Sequence, residues 1–114
     1  MGWFSKRKTV VESPKARRRA DAESVDNWVN ERRGVEVYVE PKTSLTPVTM
    51  LLVAHDGEFT RRLVNSPEAA KSFARHHRIP IYDATIIGYP QRMRDYSKRQ
   101  IILAQRDRRE TLGD

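Results

Sequence analysis

Val35-Glu36-Val37-Tyr38-Val39-Glu40 alternates apolar and polar residues with period two, which puts three valines on one face of an extended segment and Glu36, Tyr38 and Glu40 on the other. It reads as a half-buried strand. Downstream, Pro41 and Pro47 bracket a polar connection, and Val48 to Ala54 is apolar on both faces apart from Thr49, as an interior strand would be. Asp56-Gly57 marks a hairpin, with Glu58 to Val64 as the returning strand. These three segments predict an antiparallel meander.

Outward from the meander the signals become helical. Asn65-Ser66-Pro67-Glu68 is a helix start, because Ser66 can cap, Pro67 suits the first helical position and Glu68 favours the positive dipole end. Ala70, Phe73, Ala74 and His77 then share one face. Ile81 to Ile87 is apolar and β-branched enough for a fourth strand, although it contains Asp83. Pro90 opens a last helix in which Met93, Tyr96, Leu103 and Ala104 recur at helical spacing and the other faces are crowded with Arg and Lys. Upstream, Asp21 as a cap, Val25, Trp28 and Val29 at helical spacing, and Arg32-Arg33-Gly34 as a basic end and stop predict a helix over 22–33. Residues 5–20 are so polar and charged that burial would not offset their ordering entropy, and they read as disordered.

The expectation is an α+β fold in a single domain of order α-β-β-β-α-β-α, with a mainly antiparallel sheet covered by helices on one face. The domain would span 21–110, behind a disordered basic tail at 1–20 and before a frayed C-terminus at 111–114. A fourth strand pairing parallel to a neighbour would need a right-handed crossover.

Charge is unevenly placed in the 114 residues. Residues 1–20 carry seven Lys or Arg against one Glu, 21–89 eight against ten acids, and 90–114 seven against four, within an overall net charge of +7. The body is therefore near neutral and the ends are cationic. No cysteine is present, which excludes disulfides, thiolate metal sites and a cysteine nucleophile and fits a cytoplasmic setting. The longest apolar run, Met50 to Ala54, is far short of the roughly 20 residues of a membrane span, and no secretion signal is expected. Met1-Gly2 does not make a myristoylation motif, since position six is Lys6.

Catalytic and cofactor signatures are missing. The glycines are too far apart for a phosphate-gripping loop, and His76 and His77, adjacent on a helix, point about 100° apart, the wrong geometry for a shared metal. His55 with Asp56 and Glu58 is the one sequence cluster of imidazole and carboxylates, but a solvated turn explains it. Asp83 within an apolar strand needs a partner, and an ion pair with Arg61 or Arg62 is the structural reading. No catalytic, cofactor or metal residues are assigned.

Two segments have the chemistry to bind something. Trp3 and Phe4 ahead of Lys6, Arg7 and Lys8, followed by Arg17, Arg18 and Arg19, would suit an anionic lipid surface, at about 1 kcal/mol per cation, or nucleic-acid phosphates. The second is the helix from Tyr89 to Arg99, where Arg92, Arg94, Tyr96, Lys98 and Arg99 interleave rings with cations. The same pattern also describes an amphipathic helix with Met93 and Tyr96 turned inward and arginine stems along the core edge.

The run from Gly34 to Tyr96, and above all Gly88-Tyr89-Pro90-Gln91-Arg92-Met93-Arg94-Asp95-Tyr96, resembles a family of small actinobacterial proteins of unknown function, some labelled oxidoreductase. That label implies a redox cofactor, yet no dinucleotide fingerprint, thiol or haem-ligation pattern stands in the sequence, so none is carried over. The functional expectation is a non-enzymatic binding module whose cationic ends engage an anionic partner, nucleic acid ahead of a membrane surface. The alternative is a peripheral adaptor at the inner face of the membrane, anchored by the aromatic and basic N-terminus, with the core docking a protein. A third reading, a small enzyme using His55 or Asp83, ranks last.

Overall fold

A computed structural model describes residues 13–112. The chain divides into two compact units between Glu31 and Arg32. The first contains helix α1, Pro14–Asn30. Ser13 caps it by accepting from the Ala16 N–H at 3.0 Å, and Pro14 occupies the first turn. This is the same Ser-Pro start read correctly at Ser66, overlooked here because charge density suggested disorder. The helix therefore begins at Pro14 rather than at residue 22, and 14–20 are helical rather than disordered; Ala16, Ala20 and Ala22 with Arg and Lys between them are strong helix formers. Residues 5–12 of the expected tail lie outside the described residues. Val25 and Val29 are the buried positions of α1.

The second unit is built on a four-stranded sheet of β1 (Glu36–Glu40), β2 (Thr49–Val53), β3 (Phe59–Leu63) and β4 (Ile81–Asp83), in the order β3-β2-β1-β4. The meander pairs antiparallel, Tyr38 opposite Leu51 and Leu51 opposite Arg61, while β4 runs parallel to β1 with Tyr82 beside Tyr38. The sheet is therefore mixed, with antiparallel pairs predominating. Pleat alternation puts Glu36, Tyr38, Glu40, Thr49, Leu51, Val53, Phe59, Arg61 and Tyr82 on one face.

Strand β1 is not half-buried. Val37 is fully buried on one face and Tyr38 only 4% exposed on the other. Leu51, Leu52 and Val53 are sealed likewise, so cover lies on both faces rather than the one expected. Each such side chain stabilises the fold by about 1.5–3 kcal/mol. On the Tyr38 side, Leu51, Val53 and Ala84 form the core, with Phe59, Tyr82 and Met93 packed against it. The rings of Tyr38 and Tyr82 sit 5.4 Å apart.

Helix α2, Pro67–His77, starts where its cap requires: Ser66 accepts from the Ala69 N–H at 3.1 Å. It contacts β1, and its small Ala70 and Ala74 are buried. After β4 the expected strand stops at Asp83. There Asp83 Oδ1 accepts from both the N–H and the hydroxyl of Thr85, at 2.8 and 2.5 Å, and so caps a short helix α3, Ala84–Ile87. The carboxylate is satisfied locally, which answers the partner question differently from the ion pair expected with Arg61 or Arg62. Helix α4, Gln91–Thr111, follows Pro90 at its N-cap.

Candidate functional site

Two carboxylates on the Tyr38 face fasten the chain between Tyr89 and Arg92 to the sheet. Glu40 Oε1 and Oε2 accept from Arg61 Nε and Nη2 at 2.6 and 3.0 Å, and the same carboxylate accepts from the hydroxyls of Thr49 at 2.7 Å and Tyr89 at 2.5 Å. Burial alone would raise its pKa, but these donors bring it down to about 2. The hydrogen bond to Glu40 correspondingly pushes the Tyr89 phenol up. Glu36, the second carboxylate, accepts from Arg92 Nη2 at 2.5 Å and from Tyr38 Oη at 2.9 Å. Burial, then the Glu36 bond, pushes Tyr38 up to about 12.

From this anchorage α4 crosses the sheet toward the β2–β3 hairpin. Arg92 Nε donates to the Ala54 carbonyl at 2.9 Å, and Met93 packs on the core. The backbone of Gly57, at φ +96°, comes so close to α4 that a Cβ there would collide with the Arg92 carbonyl oxygen and crowd Tyr96 Cβ. Arg99, 5.7 Å from the centre of the Tyr96 ring, donates to the Asp56 carbonyl at 2.9 Å. The inward-turned arrangement weighed for this helix is the one observed. Of the five α4 residues singled out from sequence, Arg92 is occupied by the sheet, Tyr96 is half-buried at the hairpin, Arg94 donates to Gln91 at 3.2 Å, Arg99 is tied at the hairpin but exposed, and Lys98 is exposed.

Beyond that last tie the helix continues without cover, and every residue from Lys98 to Leu112 is exposed. The overhang carries Lys98, Arg99, Arg106, Arg108 and Arg109 against Asp107 and Glu110. At 100° per residue, Lys98, Arg99, Arg106 and Arg109 fall within about 100° of one another, around Ile102, along a stripe about 17 Å long. Lys98, Arg106, Arg108 and Arg109 have no ion-pair partner among the described residues. Sequence reading noted the crowding of cations on this helix but missed Arg106, Arg108 and Arg109 as candidates. The signal was the absence of an apolar stripe after Ala104, which leaves that stretch nothing with which to dock.

The other candidates fall elsewhere. Arg17, Arg18 and Arg19 are exposed on the first turns of α1. Trp3, Phe4, Lys6, Arg7 and Lys8 lie outside the described residues. His55 Nδ1 sits 3.3 Å from the Arg33 carbonyl at the hairpin, Asp56 Oδ1 accepts from the Glu58 N–H at 3.0 Å, and Glu58 takes a two-pronged bridge from Arg32 at 3.0 and 2.8 Å. That backbone bond is the first cause of Asp56's lowered pKa. His55 and Asp83 stand at opposite ends of the sheet and share no site, since Val53 is level with Glu36 and Asp83 with Val39. His77 stacks on Phe73 at 4.5 Å. Among the described residues no group of three His, Asp or Glu is placed to hold a metal, and no helix is long and apolar enough to cross a membrane. The chain matches no protein-family model, no curated protein and no solved structure.

Proposed function

We propose that the chain is a binding module that engages nucleic acid through the outer half of α4, gripping the phosphate backbone rather than the bases. What supports this reading is one observation: Lys98, Arg99, Arg106 and Arg109 share an exposed helical face, held away from the sheet by a docked inner half. Phosphates are recognised by such stripes, and about five contacts would give a log affinity against log salt slope near −4.5. Base stacking is disfavoured because the overhang has no aromatic residue. Arg17, Arg18 and Arg19 offer a second exposed cationic surface for the same polymer. Arg92 is assigned to the fold and not to the partner.

The experiment is fluorescence anisotropy of a labelled DNA duplex titrated with the full chain and with a variant carrying Arg106→Ala, Arg108→Ala and Arg109→Ala. The variant is expected to bind at least tenfold more weakly at moderate salt. Equal affinity would end the proposal.

A membrane-surface reading is favoured by one feature, the exposed Ile102 within the basic face and Ile101 and Leu103 beside it. Sedimentation with anionic vesicles that depends on those three side chains, without duplex binding, would replace the first reading with this one.

A further inference from the structure

The end of the sheet opposite the hairpin gathers exposed apolar side chains. Pairing of Glu40 with Thr49, Thr49 with Leu63 and Val39 with Asp83 brings four strand termini together there. Leu63 is 74% exposed at the end of β3, and the adjoining connections add Leu45, Ile86, Ile87 and Tyr89, with Leu45 92% and Ile86 81% exposed. Leu45 is not a slack loop residue. Thr43 N–H donates to the Thr46 carbonyl at 2.9 Å, and Thr43 Oγ1 accepts from the Leu45 and Thr46 N–H groups at 3.1 and 3.0 Å, so a wired turn holds the leucine out. The five side chains offer roughly 600 Å² of surface, against about 800 Å² per partner in a standard interface. Apolar patches of this size on a small body mark an interaction surface.

Charge selects the occupant. Glu40 is neutralised by Arg61 and Asp83 is engaged by Thr85, which leaves Lys42 and Glu68, one of each sign, exposed on the segments leaving this end. Such a surface exerts no pull on a polyanion or an anionic bilayer, and it does not repel its own likeness. The basic overhang of α4 passes the opposite end, at Asp56, so contact here keeps two such helices apart. We propose that this end of the sheet is a two-fold interface between two copies of the chain, with Leu45 and Ile86 of each copy at its centre and Lys42 of one facing Glu68 of the other.

The test is light scattering of the full chain after size exclusion, over a concentration series reaching about 200 µM, a range that populates even weak dimers. The expected mass is that of two chains. Leu45→Glu and Ile86→Glu, each at an exposed position that the fold does not need, should each give the mass of one chain with an unchanged far-ultraviolet circular dichroism spectrum. Leu103→Glu on the overhang should leave the dimer intact. A wild-type monomer throughout, a dimer that survives both substitutions, or vesicle binding that requires Leu45 would each overturn the proposal.

Discussion

Arg92 Nη2 lies 2.5 Å from Glu36 Oε1 across 56 residues of chain, while Nε of the same guanidinium donates to the Ala54 carbonyl at 2.9 Å. One side chain therefore joins α4 to the start of β1 and the end of β2. Arg92→Ala leaves a half-buried carboxylate and a backbone acceptor unpaired, and should destabilise the fold by about 2–3 kcal/mol in urea unfolding. Glu36→Gln in the Arg92→Ala background should then cost much less than in the wild type. A cycle in which the two costs simply add would show that the pair does not couple.

The close approach at the hairpin separates two glycines of similar backbone. Gly57 and Gly88 both have positive φ, +96° and +79°, but only at Gly57 would a Cβ strike backbone, and at Gly88 it meets nothing within 4 Å. Gly88→Ala should therefore cost the conformational strain alone, about 1–3 kcal/mol. Gly57→Ala should cost more and shift near-ultraviolet signals from Tyr96. Equal melting temperatures for the two variants would contradict this packing.

Acid should weaken the fold through Glu40. Its folded pKa of about 2 lies below the ordinary 4.5, so the unfolded chain binds the proton more readily. The stabilisation is complete above about 4.5 and is lost as pH falls from there through about 2. Solvent screening around the half-exposed Arg61 limits the loss to about 1–2 kcal/mol. Glu40→Gln should remove this part of the acid limb in urea midpoints measured against pH. An unaltered limb would mean that another carboxylate carries it.

Protection from hydrogen exchange should change along α4. Amides near Met93 and Tyr96 sit under packed side chains, whereas those from Ile101 onward belong to a helix with no tertiary cover. Isolated helices of about 12 residues are marginal in water, so the outer amides should exchange at least tenfold faster. Uniform protection along the helix would show that something covers the overhang in solution.

Much of this architecture was legible because its signals are local. Period-two alternation fixed β1, Asp56-Gly57 fixed the hairpin, and Ser66-Pro67 fixed the start of α2. Two errors share one cause, a local cap overruled by composition: Ser13-Pro14 was buried in a charged stretch read as disorder, and Asp83 within an apolar stretch was read as strand when its carboxylate starts a helix. Tyr38 looked like a solvent-facing position because nothing in β1 announces that Met93 and Tyr82 will cover it. The candidate helix was found from its alternating rings and cations, yet those residues divide at the hairpin. Whether an arginine faces the sheet or the solvent depends on where the helix runs out of sheet, and that length is a tertiary property.

The division of α4 into a docked inner half and an exposed binding half is tested most directly by the salt dependence of duplex binding. The wild-type log–log slope should be near −4.5, and removing Arg106, Arg108 and Arg109 together should make it shallower by about 2.7, close to 0.9 for each lost contact. Arg94→Ala, on the docked half, should leave it nearly unchanged. A triple variant with the wild-type slope, or an equal loss from Arg94→Ala alone, would contradict the assignment of the outer half to the partner.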